Sequence, residues 1–153
     1  MSIFSEIHCD LGREGPGDDA STRRALSSMA DLASNPRILD VGCGPGMQTL
    51  ELARASGGEV TAVDIHQPFL DELAKRAREA GVESRIFPVH GSMSEMRLDA
   101  DSFDAIWSEG AIYIIGFERG LTIWRPLLKE RGYLAVSELC WLEKDAPAEA
   151  RDF

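Results

Sequence analysis

The segment from Ile38 to Met47 limits the possible folds more than any other part of the chain. It reads Ile-Leu-Asp-Val-Gly-Cys-Gly-Pro-Gly-Met, so an apolar run enters a Gly-x-Gly-x-Gly turn and a helix-forming sequence follows. Glycine in such a turn permits positive φ and a close approach of the backbone to a ligand. A strand, a glycine turn and a helix in this order predict an open α/β sheet with a ligand at the carboxyl ends of its strands.

Strand-like and helix-like segments alternate through the rest of the chain. Strands are predicted at 37–41, 60–64, 85–90, 103–107 and 133–139, and helices at 20–33, 47–55, 69–77 and 117–129. This alternation predicts a doubly wound, Rossmann-like parallel sheet flanked by helices. Pro88 favours an edge position for the third strand, and Pro126 predicts a break or kink in the last helix.

The length of 153 residues predicts a single domain. Residues 1–19 are polar and rich in glycine and are expected to form an N-terminal lid or loop. Residues 20–142 are expected to form the ligand-binding domain, and residues 143–153 a weakly specified tail.

Charge and cysteine content exclude several classes of partner. The chain has 26 acidic and 16 basic residues, a net charge of −10, which disfavours binding to nucleic acid or to anionic membranes. We find no apolar run of the roughly 20 residues that a membrane span needs and no signal peptide pattern. Three cysteines without a C-x-x-C pair indicate a reduced, cytoplasmic protein.

Two carboxylates around the glycine turn narrow the choice of ligand. Asp64 ends the second strand, 18 residues after Gly46, where an acid can accept hydrogen bonds from ribose hydroxyls. The third glycine comes one residue earlier than in the dinucleotide pattern, and no Gly-Lys-Ser/Thr follows the turn, which excludes a P-loop. Asp40 would repel a pyrophosphate but suits a cationic group, such as the amino group of a methionine moiety. The expected ligand therefore carries adenosine and an amino acid and lacks phosphate.

With these motifs in this order, the chain resembles the class I S-adenosylmethionine-dependent methyltransferases. Asp40–Gly46 resembles their first motif and Val63–Asp64 their second, while Gly91–Met93 stands where the family contacts adenine. Phe103–Glu109 resembles their fourth strand with the residues beneath the methionine part, and Leu128–Leu134 the turn into their fifth strand. The resemblance covers nearly the whole chain.

The resemblance implies S-adenosylmethionine as cofactor, no metal, and methyl transfer to a nitrogen, oxygen or carbon atom of a small molecule. Within the family, the chain is most similar to the group with the ubiquinone and menaquinone C-methyltransferases and the glycine/sarcosine N-methyltransferases. The residues that the resemblance assigns to the cofactor are Asp40, Gly42, Cys43, Gly44, Gly46, Asp64, Ile65, Gly91, Ser92, Met93 and Ser108.

Glu109 and Tyr113 are the candidate catalytic residues. Glu109 follows the fourth strand, near the expected methyl group, and is the candidate general base; the other interpretation is a carboxylate that holds the cationic cofactor or neighbours a helix N-terminus. Tyr113 either lines the acceptor pocket or is a packed aromatic residue. His8 lies in the N-terminal segment, which in this family can close over the cofactor, so it either touches the substrate or lies at the surface.

The chain departs from the family in two places. Ser92 and Met93 stand where the family usually carries an acid, and a serine can still reach the adenine amino group. The family sheet has seven strands, and this sequence lacks the antiparallel hairpin formed by the last two. A fragment, a natural truncation and a partner that completes the sheet each account for this. The fifth strand would then be an exposed apolar edge, for which we expect self-association or marginal stability.

Three other functions compete with methyl transfer to a small molecule. A cofactor-binding but non-catalytic module would follow from the missing strands. An NAD-binding oxidoreductase is disfavoured by the glycine spacing. A nucleic-acid methyltransferase is disfavoured by the net charge, and by Ser108–Ala111 in place of the acid/Asn-Pro-Pro-aromatic tetrad that such enzymes use on a flipped base.

Overall fold

The computed structural model describes residues 11–140. The first ten residues of the expected lid, with His8, lie outside the described residues, as does the expected tail 143–153. No helix within residues 11–140 has the length and apolar character needed to cross a bilayer.

Five parallel strands form one sheet. They are β1 (Arg37–Val41), β2 (Glu59–Asp64), β3 (Ile86–His90), β4 (Phe103–Glu109) and β5 (Leu128–Ser137). Their order across the sheet is β3-β2-β1-β4-β5, so the chain runs outward from β1 to β3 and then returns to β4 on the other side of β1. The reversal between β1 and β4 is the point at which open α/β sheets bind their ligands.

Helices cover both faces of the sheet. They are α1 (Asp19–Ser27), α2 (Met47–Ser56), α3 (Gln67–Glu79) and α4 (Phe117–Trp124), with short 3₁₀ turns at Glu83–Arg85, Ile112–Ile114 and Arg125–Leu127. Ile38 packs with residues of α1 to α3, whereas Leu39 packs on the opposite face with Trp124 of α4. Alternate residues of a strand point to opposite faces, and both faces here are buried. The predicted doubly wound, Rossmann-like parallel sheet is confirmed.

Several predicted boundaries are wrong. The helix predicted at 20–33 ends at Ser27, because the hydroxyls of Ser27 and Ser28 donate to the carbonyl of Arg24 at 2.8 and 3.0 Å and compete with the helical hydrogen bonds. The fourth strand continues to Glu109, so Glu109 ends this strand and does not follow it. The fifth strand begins at Leu128, before the predicted Tyr133, and contains a register shift in its pairing with β4.

Both predicted effects of proline are found. Pro88 lies on β3, which pairs only with β2 among the described residues and so forms one edge of the sheet. α4 ends at Trp124, and Pro126 lies in the 3₁₀ turn that follows. Within the described part of the chain, β5 forms the other edge.

Candidate functional site

A cavity of about 480 Å³ opens at the carboxyl ends of β1, β2, β3 and β4. Ligand sites of small molecules occupy roughly 300–1,000 Å³, so its size suits a cofactor or substrate. The predicted site residues that line it are Gly42, Gly44, Asp64, Ile65, Gly91, Ser92, Met93, Glu109 and Tyr113. The strand order therefore gathers nine predicted residues around one space.

The glycine turn lines one side of the cavity with backbone atoms and no side chains. Gly42 and Gly44 have φ of 73° and 54°, in the left-handed region that favours glycine. A Cβ added at Gly42 would lie 2.5 Å from the Cβ of Ala111, so a side chain there has no room. The amide of Gly42 donates to the carbonyl of Val63 at 2.9 Å and thereby ties the turn to the end of β2.

Asp64 is held rigidly beside the glycine turn. Its Oδ2 accepts from the amide of Gly44 at 2.8 Å, and its Oδ1 accepts from the amide of His66 at 2.8 Å. Each carboxylate oxygen has two acceptor sites, so both oxygens can accept a further hydrogen bond from a ligand in the cavity.

Four predicted site residues lie beneath the cavity and do not line it: Asp40, Cys43, Gly46 and Ser108. All four are buried. The Ser108 hydroxyl donates to the carbonyl of Val41 at 2.9 Å and links β4 to β1. Burial raises the pKa of the Cys43 thiol well above its usual value, which removes its nucleophilic form.

Asp40 is a wholly buried carboxyl group. Thr49 Oγ1 donates to its Oδ2 at 2.6 Å, while its Oδ1 has no hydrogen-bond partner among the described residues. Burial raises the pKa of Asp40 to about 7, against the lowering effect of the Thr49 hydrogen bond. The side chain thus carries an unused acceptor directly below the glycine turn.

Glu109 is surrounded by donors. Arg13 forms an ion pair with its Oε2, and both Thr22 Oγ1 and Trp107 Nε1 donate to its Oε1 at 2.8 Å. These contacts occupy three of the roughly four acceptor sites of a carboxylate. In this arrangement the Glu109 side chain joins the end of β4 to Arg13 and to Thr22 of α1. One acceptor site on its Oε2 is not used by these contacts.

Residues 11–18, which we call the strap, cross the cavity; they belong to the segment 1–19 that was expected to form a lid or loop, although none of them was named as a lining residue. Arg76 of α3 donates to the carbonyl of Gly12 at 3.2 Å, and Gly15 lies against the backbone of Glu109. Glu14 and Gly15 of the strap line the cavity. No local pattern pointed to these contacts, because they join segments far apart in sequence.

The remaining lining residues that the sequence did not indicate are mostly apolar. They are Phe69, Ser94, Gly110, Ala111, Ile114 and Ile115. Val63 of the second motif also lines the cavity, as does His66, whose position two residues after Asp64 made it a candidate for the edge of the adenine site. The ring of His66 lies 4.9 Å from that of Phe69. The apolar run 112–115 directly after β4 was a usable signal for part of this set. Among the described residues, no group of three or more His, Cys, Asp or Glu side chains is arranged to hold a metal ion.

Comparison with known proteins identifies the family. The family model described as "Methyltransferase domain" matches residues 38–132, which include the glycine turn, Asp64 and Glu109. The chain belongs to the class I S-adenosylmethionine-dependent methyltransferases. Within this methyltransferase family, the chain is 32% identical over 142 residues to a demethylmenaquinone methyltransferase of Clavibacter sepedonicus, covering 90% of this chain and 56% of the relative.

Two further relatives show how much of a longer methyltransferase the chain represents. It is 31% identical over 116 residues to methyltransferase GfsG of Streptomyces halstedii, covering 74% of this chain and 41% of that protein. A crystal structure of a methyltransferase from Geobacter sulfurreducens in complex with S-adenosylhomocysteine has the same fold, with a TM-score of 0.84 and 24% identity, over 98% of this chain and 60% of that one. The chain thus spans 41% of the GfsG protein and 56% of the demethylmenaquinone methyltransferase, less than two thirds of either.

Proposed function

We propose that this chain binds S-adenosylmethionine in the cavity and transfers its methyl group to a small-molecule acceptor. The observation that carries the proposal is the rigid Asp64 carboxylate beside the bare glycine backbone, at the sheet's reversal point and within the segment that matches the methyltransferase family. The name of the Clavibacter relative, a demethylmenaquinone methyltransferase, supports a small molecule as acceptor.

The residues of the cavity fit this cofactor. Gly42 and Gly44 line the cavity with backbone at positive φ, and Asp64 has acceptor sites for the two ribose hydroxyls. Gly91, Ser92 and Met93 continue the wall beyond β3 and are proposed to contact adenine. Asp40, below the turn, is proposed to favour a cationic amino group through its unused Oδ1.

When bound, the cofactor supplies a methyl group that its sulfonium already activates. The chain then has to hold the acceptor in line and exclude water, and such positioning contributes up to roughly 7–11 kcal/mol. Tyr113 and Glu109 line the cavity and are the proposed catalytic residues. Glu109 takes up a proton through the acceptor site on Oε2 that Arg13 leaves open, or after Arg13 moves away.

The extent of the domain, 20–142, and the cytoplasmic location belong to the same proposal. The odd number of cysteines without a C-x-x-C pair supports a reducing compartment.

Calorimetric titration with S-adenosylhomocysteine tests cofactor binding. We expect micromolar affinity for the parent chain and a loss of at least about tenfold in Asp64→Asn, because hydrogen bonds to a charged group contribute roughly 1.5–3 kcal/mol. Asp71→Asn is the matched control, since Asp71 is exposed on α3 and lies outside the cavity lining. Binding of NAD by a folded chain that does not bind S-adenosylhomocysteine would overturn the proposal.

Methyl transfer separates the enzyme from the non-catalytic module. We expect methylated product from amine, hydroxyl or quinone-like acceptors with the parent chain. For Glu109→Gln, we expect unchanged S-adenosylhomocysteine affinity with slower turnover if Glu109 is the base. A parallel loss of affinity and turnover would instead assign Glu109 to holding the strap.

A further inference from the structure

Glu14 of the strap lies against the glycine turn. A Cβ added at Gly44 would lie 3.6 Å from the Cγ of Glu14, so the aliphatic part of this side chain approaches the middle glycine of the turn. Glu14 also lines the cavity. The backbone on both sides of it is fixed, because Arg76 of α3 donates to the carbonyl of Gly12 at 3.2 Å and Gly15 lies against the end of β4. The strap therefore holds an acid at the cavity.

The lining of the cavity carries a net negative charge. Within residues 11–140 it contains the acids Glu14, Asp64 and Glu109 and has neither lysine nor arginine. Arg13 is adjacent and forms an ion pair with Glu109. Beneath the turn, burial raises the pKa of Asp40 to about 7, and the nearby charges of Glu109 and Asp64 act in the same direction. The glycine turn thus lies in a negative potential, which favours a cation.

The methyl donor and its product differ in the charge that such a potential detects. The amino-acid part of S-adenosylmethionine and of S-adenosylhomocysteine is a zwitterion without net charge. The sulfonium adds one positive charge to the donor, and after methyl transfer the bonding pair stays on sulfur, which becomes an uncharged thioether. Only the donor is therefore a net cation, and a carboxylate near the bound ligand attracts it more strongly than the product.

Glu14 is the lining acid best suited to respond to this difference. Glu109 is paired with Arg13 and accepts from two further donors. Asp64 accepts from two backbone amides at the end of β2 and is proposed to hold the ribose. Glu14 approaches the turn from the strap, on the other side of the cavity lining from the sheet.

We propose that Glu14 is a cofactor-binding residue that favours the cationic methyl donor over its uncharged product. This inference rests on the proposed function, because it assigns the strap to the cofactor. The carboxylate that helps to hold S-adenosylmethionine attracts S-adenosylhomocysteine less, so the loss of charge on methyl transfer promotes release of the product.

Calorimetric titration of the whole chain with each of the two ligands, without an acceptor, tests this inference. The readout is the dissociation constant of S-adenosylhomocysteine divided by that of S-adenosylmethionine, in which contacts common to both ligands cancel. Glu14→Gln removes one charge and should lower this ratio about threefold, as for an exposed ion pair. Glu14→Lys doubles the change in charge and should lower the ratio roughly tenfold. High salt should reduce both effects.

The matched control is Glu79→Lys, which changes the net charge as Glu14→Lys does. Glu79 is the last residue of α3 and is exposed, and it lies outside the cavity lining. The helix places it roughly 18 Å from the first residue of α3. Physiological salt screens exposed charges beyond about 8 Å, so this variant should keep the parental ratio.

A ratio that falls stepwise in Glu14→Gln and Glu14→Lys but not in Glu79→Lys supports the inference. A parental ratio in Glu14→Lys overturns it, even if the affinities for both ligands fall together, because the strap then does not distinguish their charges. An equal fall in Glu79→Lys overturns it as well, since the net charge of the chain would then account for the effect. In both cases the ligands still bind and the proposed function stands. A folded parent chain that binds neither ligand would overturn the proposed function and this inference with it.

Discussion

Replacing Asp40 by asparagine should change how the stability of this methyltransferase-family chain depends on pH. Burial raises the pKa of Asp40 to about 7 from a model-compound value of 3.8. Between these two values the folded state holds a proton that the unfolded state has lost. Rising pH therefore destabilises the folded parent chain throughout this window, and the penalty levels off above about pH 7. Asparagine does not titrate, so the variant lacks this dependence.

The size of the effect follows from the two pKa values. The full penalty above pH 7 is about 4 kcal/mol, since each pKa unit corresponds to 1.36 kcal/mol. Part of it already acts at pH 5, which is above the unfolded pKa. The stability of Asp40→Asn relative to the parent should therefore be greater at pH 8 than at pH 5. The free energies of unfolding place this difference at roughly 3 kcal/mol.

Urea unfolding at pH 5 and pH 8, followed by circular dichroism, measures this difference. The asparagine amide keeps an acceptor for Thr49 and places its NH₂ where Oδ1 has no partner. That unpaired group costs the same at both pH values, so the pH dependence is the readout. Asp99→Asn, at an exposed position, is the control and should follow the parent. If the difference between Asp40→Asn and the parent is the same at both pH values, the raised pKa of the buried Asp40 carboxyl is refuted.

Three further predictions concern the turn, the strap and the sheet edge. Gly46→Ala should lower the free energy of unfolding in urea by several kcal/mol, because φ is +90° and the new Cβ would overlap Leu73. The control Gly81→Ala, with φ of +67° and open space around it, should lower it by only about 1–2 kcal/mol. Equal losses in the two variants would contradict this reasoning. Arg13→Gln should speed release of bound S-adenosylhomocysteine by about tenfold in stopped flow, because the strap loses its ion pair; an unchanged rate would show that the strap does not limit release. Sedimentation velocity should show concentration-dependent self-association through β5, and Leu134→Lys should suppress it. A monodisperse, thermally stable parent monomer would argue against pairing through the β5 edge.

Local sequence was sufficient for the centre of this fold. The strand, glycine turn and helix at 37–56 are contiguous, so their order alone specified the βα unit and its ligand end. Asp64 was placed correctly beside the turn because parallel strands β1 and β2 end at the same edge. The start of the fifth strand was predicted wrongly. Arg131 has a φ of 63° and lies where the pairing of β5 with β4 shifts register, which the sequence pattern did not indicate.

The surroundings of individual side chains could not be predicted in the same way. Asp40 belongs to the glycine motif, yet strand alternation puts it on the same face as Ile38, where Thr49 of α2 covers it. Glu109 was expected at the site, but its partners Arg13 and Thr22 are 96 and 87 residues away in sequence. Such partners depend on how the strap and α1 pack on the finished sheet, which no periodic pattern encodes.

The strand order also shapes the route by which the chain folds. β1 is the earliest strand of the described residues and lies in the middle of the sheet, with β2 and β3 on one side. These three strands are consecutive in sequence, so their pairings close shorter loops than the pairing of β1 with β4. The other edge of β1 then stays open until β4 emerges and Ile38 can pair with Ala105. Because this pairing closes a long loop, we expect it to be the slow step in forming the sheet.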